Sequence, residues 1–321
     1  MLYPMKFAPL FKERIWGGRK MEEKFGKQLP ADVAIGESWE LSGVEGDVSV
    51  VANGKLAGNS LSELIEVYMG DLVGDKVYEQ YGEEFTILIK LIDADDVLSI
   101  QVHPDDELSK ERHNAYGKTE MWYIIDNEPD ASLYLGFNQD VDQEKYLEYL
   151  NKGALQEILG EIKVKPGDAY FIPAGAIHAI GKGILIAEIQ QTSDITYRVF
   201  DWNRVDADGN GRELHTELAI DAINFNDTTK YDITVEPKAN ENVQMQSCKY
   251  FTSSVIEVDG TIVRDYYERD SFNIYMCLEG EISVKTKEGT ETMTKGETVL
   301  IPAVIDAVEL SGKGKIIEVY M

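Results

Sequence analysis

Short apolar runs rich in β-branched and aromatic residues, parted by Gly, Pro and Asp, constrain this chain most strongly. Residues 85–91 (FTILIKL), 97–102 (VLSIQV), 121–125 (MWYII), 169–172 (AYFI) and 184–189 (ILIAEI) are such runs. Residues 272–278, 281–286, 298–301 and 315–320 extend the pattern toward the C-terminus. Runs of this length and spacing predict strands of a sandwich or barrel. Helical periodicity is sparser. It predicts helices over 61–68, 104–114 and 142–159, the last broken at Gly153.

One of these strands occurs twice. Residues 165–174 read KPGDAYFIPA, and residues 294–303 read TKGETVLIPA. Gly167, Asp168, Ile172 and Pro173 return as Gly296, Glu297, Ile301 and Pro302, each 129 positions later. Such a repeat implies one supersecondary unit used twice. The expected fold is mainly β: two related β-barrels with a few short helices. The polar stretch 228–242 (TTKYDITVEPKANEN) marks the boundary, giving units of residues 1–235 and 236–321.

Composition narrows the partners. Asp and Glu number 58 against 31 Lys and Arg, a net charge of −27. Nucleic acids and anionic membrane surfaces require a basic footprint, so neither is an expected partner. Two cysteines, Cys248 and Cys277, build neither a disulfide framework nor a Cys-rich zinc site, and a reducing cytoplasm is expected. The opening MLYPMKFAPLFKERIW lacks the apolar core of a signal peptide. No apolar run reaches the ~18 residues of a membrane helix.

Metal-ligating side chains fall in a suggestive order. Gln101 and His103 are two apart on a β-rich stretch, so their side chains share a face. Glu120 opens the next strand-like run, and His178 follows a Pro/Gly turn. Two imidazoles, a carboxylate and an amide form a mixed N/O donor set suited to Zn²⁺, Fe²⁺, Mn²⁺ or Co²⁺. His113 reads as a solvated helix residue and His215 as ordinary surface. The four tryptophans read first as core.

The segment 167–178 (GDAYFIPAGAIH) resembles the second cupin motif. With LSIQVHPDD (98–106) and GKTEMWYI (117–124) in order before it, the chain resembles the type I mannose-6-phosphate isomerases. Trp16-Gly17, GESWELS (36–42) and TYRVFDWNR (196–204) add to that likeness. The resemblance implies cupin-like barrels, each a double-sheet jelly roll, and one Zn²⁺ per chain, held by Gln101, His103, Glu120 and His178. It implies Arg198 as an active-site arginine, with Lys118 and Glu188 as further catalytic positions. Ser99, Lys118 and Arg198 would bind substrate. The reaction implied is interconversion of mannose 6-phosphate and fructose 6-phosphate through a cis-enediol. It needs stabilised oxygen charge, a base and a phosphate clamp. The base stays open between Lys118, Glu188 and a group on the metal.

The second copy of the repeat carries Ala307 where the first has His178, and no histidine follows His215. A metal-free second unit is therefore expected, as in the short form of the family. Two other classes fit the donor set: a non-haem Fe(II) cupin dioxygenase and a non-catalytic sugar-phosphate-binding cupin.

Overall fold

A computed structural model describes residues 1–205 and 208–321. Most of its regular structure is strand, arranged in three sheets. A seven-stranded sheet runs, neighbour to neighbour, Asp232–Ile233, Ala169–Ile172, Glu120–Asn127, Ile184–Gln191, Ile87–Ala94, Ile35–Leu41 and Leu10–Gly18. A five-stranded sheet runs Tyr197–Phe200, Ile100–Val102, His178–Ile180, Ser132–Phe137 and Leu159–Lys163. The third sheet is built from the long strands Thr252–Asp265, Asn273–Lys285 and Ala307–Tyr320.

The apolar runs of the sequence have a simple cause. Ile87–Ala94 and Ile184–Gln191 are buried at every position, because the seven-stranded sheet is covered on both faces. One face contributes Ile92, Trp122, Ile124, Ile172 and Ile186 to a cluster with Leu133, Leu135 and Ile180 of the five-stranded sheet. The other face contributes Ile87, Ile89, Met121 and Ile189 to a cluster with Val255, Ile274, Ile317 and Val319 of the third sheet and with Phe251 just before it. Leu61, Leu64 and Ile65 of the helix Leu61–Tyr68 join that second cluster. A capping box fixes the start of this helix: Ser60 Oγ accepts from Glu63 N–H, and Glu63 accepts from Ser60 N–H. The two β units thus share a core. Each fully buried Leu or Ile there contributes roughly 1.5–3 kcal/mol.

The repeat folds alike in both copies. Gly167 and Gly296 have φ of 94° and 83°. Asp168 Oδ2 accepts from Lys165 N–H at 2.9 Å, and Glu297 Oε2 from Thr294 N–H at 2.7 Å. The strands Ala169–Ile172 and Thr298–Ile301 follow, and each ends in a turn closed onto Pro173 O or Pro302 O.

Some elements differ from expectation. Residues 272–278 and 281–286 are one strand, Asn273–Lys285, with a register shift between Cys277 and Glu279. Gly280 makes this continuity possible: its φ is 76°, and a Cβ there would lie 2.0 Å from Lys313 O. The run 315–320 is the end of the longer strand Ala307–Tyr320, and residues 97–99 precede the strand Ile100–Val102. The helix expected over 142–159 is Gln143–Asn151 followed by a 3₁₀ turn, Leu155–Ile158. The two-residue strand Met5–Lys6 pairs with Thr298–Ile301, so the start of the chain completes the third sheet. Among the described residues, no helix is long and apolar enough to cross a membrane.

Asp93 gives the fold a measurable pH dependence. It is buried in Ile87–Ala94; Oδ2 accepts from Lys20 N–H at 2.6 Å, and Oδ1 has no partner among the described residues. Burial pushes its carboxyl from 3.8 up to about 6. The native state therefore binds this proton more readily than the unfolded chain. The charged form costs stability in full above pH ~6, and the cost vanishes below pH ~4. Asp93→Asn is expected to stabilise the protein by about 2 kcal/mol at pH 8 and hardly at all at pH 4. Urea midpoints at the two pH values check this; an equal effect at both would contradict it.

Candidate active site

Register across the five-stranded sheet builds one wall of the site. Arg198 lies opposite Gln101, and Gln101 opposite His178. Cross-strand neighbours share a face, so these three side chains stand in a row. His103 follows two residues after Gln101. The facing wall is a row in the seven-stranded sheet: Trp39 opposite Lys90, Lys90 opposite Glu188, Glu188 opposite Trp122. Glu120 stands two residues before Trp122, on the same face. The walls meet where the Trp122 ring packs edge-on against His178, centroids 5.3 Å apart.

The candidate ligands converge. Donor atoms of His103, Glu120 and His178 all lie within 4.8 Å of one another, and all three residues are buried. His103 Nδ1–H donates to Ile195 O and His178 Nδ1–H to Ala176 O, each at 2.9 Å. That pairing fixes the tautomer and turns both Nε2 lone pairs to the shared centre. Glu120 lies 3.3 Å from His103 Nε2 and 3.9 Å from His178 Nε2, and its Oε2 is buried with no hydrogen-bond partner among the described residues. Gln101 Nε2 is 3.2 Å from His178 Nε2. Ligation by Gln101 would use its carbonyl oxygen, which requires the amide turned over.

Electrostatics suit this donor set to a cation. Burial, then the Lys118 ammonium, pushes His103 down to about 4, and burial lowers His178 also. Both imidazoles are neutral at pH 7, as metal ligation requires. Burial acts to raise the Glu120 carboxyl, but Lys118, His103 and His178 outweigh it and hold it well below the usual range. A buried, ionised carboxylate with a free oxygen between two imidazole lone pairs fits a divalent ion.

The remaining expected residues share one cleft of about 470 Å³, lined by Ser99, Gln101, Lys118, Glu188 and Arg198. Lys118 Nζ sits 3.0 Å from His103 Nε2 and also bonds Glu120. Glu188 is held from two sides: Trp122 Nε1 donates to it at 2.7 Å, and Lys90 Nζ lies 3.0 Å away. Arg198 donates through Nη1 to Glu213 O at 2.8 Å, while its Nε has no partner among the described residues. Burial and the nearby Arg212 guanidinium lower its pKa. A larger cleft of about 800 Å³ lies between the Asp106–His113 helix and Lys249-Tyr250. It holds none of the candidate ligands, so the smaller cleft is where the chemistry can occur.

Two histidines are more engaged than expected. His113 Nε2 bonds Tyr197 Oη at 2.7 Å. His215 is not ordinary surface: its Nδ1 accepts from Arg198 N–H at 3.2 Å, and its own N–H donates to Arg198 O at 2.7 Å. The cleft is also lined by Trp39, which the sequence places in the core, and by Arg14, Glu37, Lys90 and Arg212, which no motif assigns to the site. Lys90 carried a signal: an ammonium inside the apolar run FTILIKL requires buried partners. Burial acts to lower its pKa, but Glu188, Glu37 and Glu120 outweigh that and raise it.

Comparison with known proteins adds an independent finding. The family model "Phosphomannose isomerase type I, catalytic domain" matches residues 5–134, and "Mannose-6-phosphate isomerase, cupin domain" matches residues 240–321. Mannose-6-phosphate isomerase ManA of Bacillus subtilis is 37% identical over 316 residues, 96% of each chain. A crystal structure of the mannose 6-phosphate isomerase from Bacillus subtilis superposes with a TM-score of 0.89 at 33% identity, covering 99% of both chains. A putative mannosephosphate isomerase from Archaeoglobus fulgidus superposes with a TM-score of 0.80 at 26% identity, covering 99% of this chain and 98% of that one.

Proposed function

The chain belongs to the type I phosphomannose isomerase family, and from that membership we propose that it interconverts mannose 6-phosphate and fructose 6-phosphate through a cis-enediol. The observation that carries this reading is the buried His103/Glu120/His178 cluster, joined through Gln101 and Lys118 to the cleft that those two residues line with Arg198. The metal we propose is one Zn²⁺ per chain, with Gln101 as fourth ligand after its amide turns over. When bound, the ion supplies Lewis-acid stabilisation of oxygen charge.

The chain's own groups perform the rest. Arg198 and Ser99 hold the phosphate; the unpartnered Arg198 Nε and the planar fork of donors suit a dianion. Lys118, as the free amine, takes the proton from one sugar carbon and, as the ammonium so formed, returns a proton to the other, because its Nζ lies beside His103 and Glu120. Glu188, held by Trp122 and Lys90, orients the sugar hydroxyls rather than acting as a free base. The cleft lining carries Arg14, Lys90, Lys118, Arg198 and Arg212 against Glu13, Glu37, Glu188 and Asp194, and Glu120 beside Lys118 brings the count to even, so a bound divalent ion would make the site locally positive. That local balance allows a dianion to enter a protein whose net charge is −27.

On the same footing we infer that residues 1–235 form a catalytic cupin-like barrel and residues 236–321 a metal-free one. The shared repeat geometry and the lack of histidine after His215 support that division. Two unpaired cysteines support a cytoplasmic setting.

The test is incubation of zinc-loaded protein with fructose 6-phosphate in ²H₂O. Mannose 6-phosphate should form, with deuterium at C2. No interconversion by the metal-replete protein would refute the activity. Turnover without any solvent deuterium would exclude Lys118 as the proton carrier, because its ammonium mixes the abstracted proton with solvent-derived ones.

A further inference from the structure

Asp106 connects the third sheet to the cleft. It opens the helix Asp106–His113, and its two carboxylate oxygens face different parts of the molecule. Oδ1 accepts from Gly117 N–H at 3.2 Å and from Gln191 Nε2 at 2.9 Å. Oδ2 accepts from Lys249 Nζ at 2.9 Å and from Tyr250 Oη at 2.7 Å. Lys249 and Tyr250 lie between the strands Asn242–Ser247 and Thr252–Asp265, on the third sheet.

The inward arm continues to the catalytic segment. Gln191 Oε1 accepts from Thr119 N–H at 2.9 Å, and Gln191 N–H donates to Thr119 O at 3.2 Å. Lys118 N–H donates to Pro104 O at 3.1 Å. All three amides of residues 117–119 are therefore tied, and two of the three ties lead to Asp106. The segment precedes the strand, which begins at Glu120, and the bond from Gln191 N–H to Thr119 O joins it to the neighbouring strand. Yet it carries Lys118 and runs directly into Glu120. A long lysine side chain is placed only as well as its backbone, and a 1 Å misplacement can cost ~10²-fold in rate. Burial acts to raise the Asp106 carboxyl, but Lys249, Gln191, Tyr250 and Gly117 outweigh it, so it stays ionised at neutral pH.

We propose that Asp106 is a positioning residue through which Lys249 and Tyr250 of the C-terminal unit fix residues 117–119, and with them Lys118 and Glu120. The C-terminal unit thereby contributes to turnover without touching substrate. This inference rests on the isomerase reading of the cleft.

Three variants of the full-length, metal-loaded protein test it. Asp106→Ala removes both arms. Tyr250→Phe with Lys249→Met removes only the outward arm. Asp106→Asn with Lys249→Met keeps an acceptor for Gly117 and Gln191 without opposing an amide to an ammonium. Asp106→Ala is expected to lower kcat about thirtyfold with KM within about threefold and bound metal retained. The Tyr250/Lys249 pair should lower kcat about fivefold, and Asp106→Asn with Lys249→Met should recover to within about threefold of wild type. Amide hydrogen exchange across residues 117–119 should quicken at least about tenfold in Asp106→Ala. Unchanged kcat per folded molecule with unchanged exchange, whatever the loss of thermal stability, would overturn the proposal. If Asp106→Ala does not fold, the Tyr250/Lys249 pair decides by the same two readouts. A wild-type protein inactive on sugar phosphates would refute the isomerase reading instead, and exchange at 117–119 would still decide this inference.

Discussion

His178→Ala is expected to abolish isomerisation and metal binding together. kcat/KM should fall by at least about a thousandfold, and bound metal from one ion per chain to a small fraction of that. The reason is geometric. His178 offers a neutral Nε2, fixed by its Nδ1 bond to Ala176 O, toward the same centre as His103 and Glu120. Without it, one imidazole, a carboxylate and the Gln101 amide remain, a neutral amide oxygen is a weak ligand, and Lys118 already competes for the carboxylate. Elemental analysis of the folded variant, beside its kinetics, checks this. Full metal content with lost activity would remove His178 from the ligand set.

Arg198→Ala is expected to separate binding of substrate from binding of metal. Metal content should remain at the wild-type value, while kcat/KM for mannose 6-phosphate falls roughly 10²- to 10³-fold. Arg198 stands in the row with Gln101 and His178, but its guanidinium reaches the cleft rather than the ligand cluster. Arg198→Lys should recover only part of the loss, because a point ammonium does not reproduce the planar fork. If Arg198 holds phosphate, the variant should also lose most of its preference for mannose 6-phosphate over mannose. Kinetics equal to wild type on the phosphorylated sugar would exclude Arg198 from the site.

Much of this site could be read from the sequence because its residues break local rules. Gln101, His103 and Glu120 are polar positions beside apolar strand runs, and His178 follows a Pro/Gly turn, so spacing marks them as candidates and the resemblance to the type I isomerases joins them into one ligand set. The repeat was equally legible, since a glycine with positive φ and an acid that closes its own turn leave a fixed signature. Other features left weaker traces. Glu37, Lys90 and Glu188 meet only through sheet register between strands distant in the chain, which periodicity does not encode. A two-residue strand such as Met5–Lys6 has no period at all, so its crossing to the third sheet was invisible. The long strand Asn273–Lys285 looked like two because Gly280 reads as a turn residue, while its positive φ here serves a bend within a continuous ladder. His215 reads as surface in the sequence because its contact is to the backbone of Arg198, which no side-chain pattern announces.

We propose that one buried cation held by His103, Glu120 and His178 makes this protein an isomerase. Chelator dialysis, followed by metal analysis and by an assay converting fructose 6-phosphate to mannose 6-phosphate, tests it most directly. Activity should disappear as metal falls to zero and return in proportion to added Zn²⁺, saturating at one equivalent per chain. Undiminished turnover by protein verified to contain no metal would contradict it.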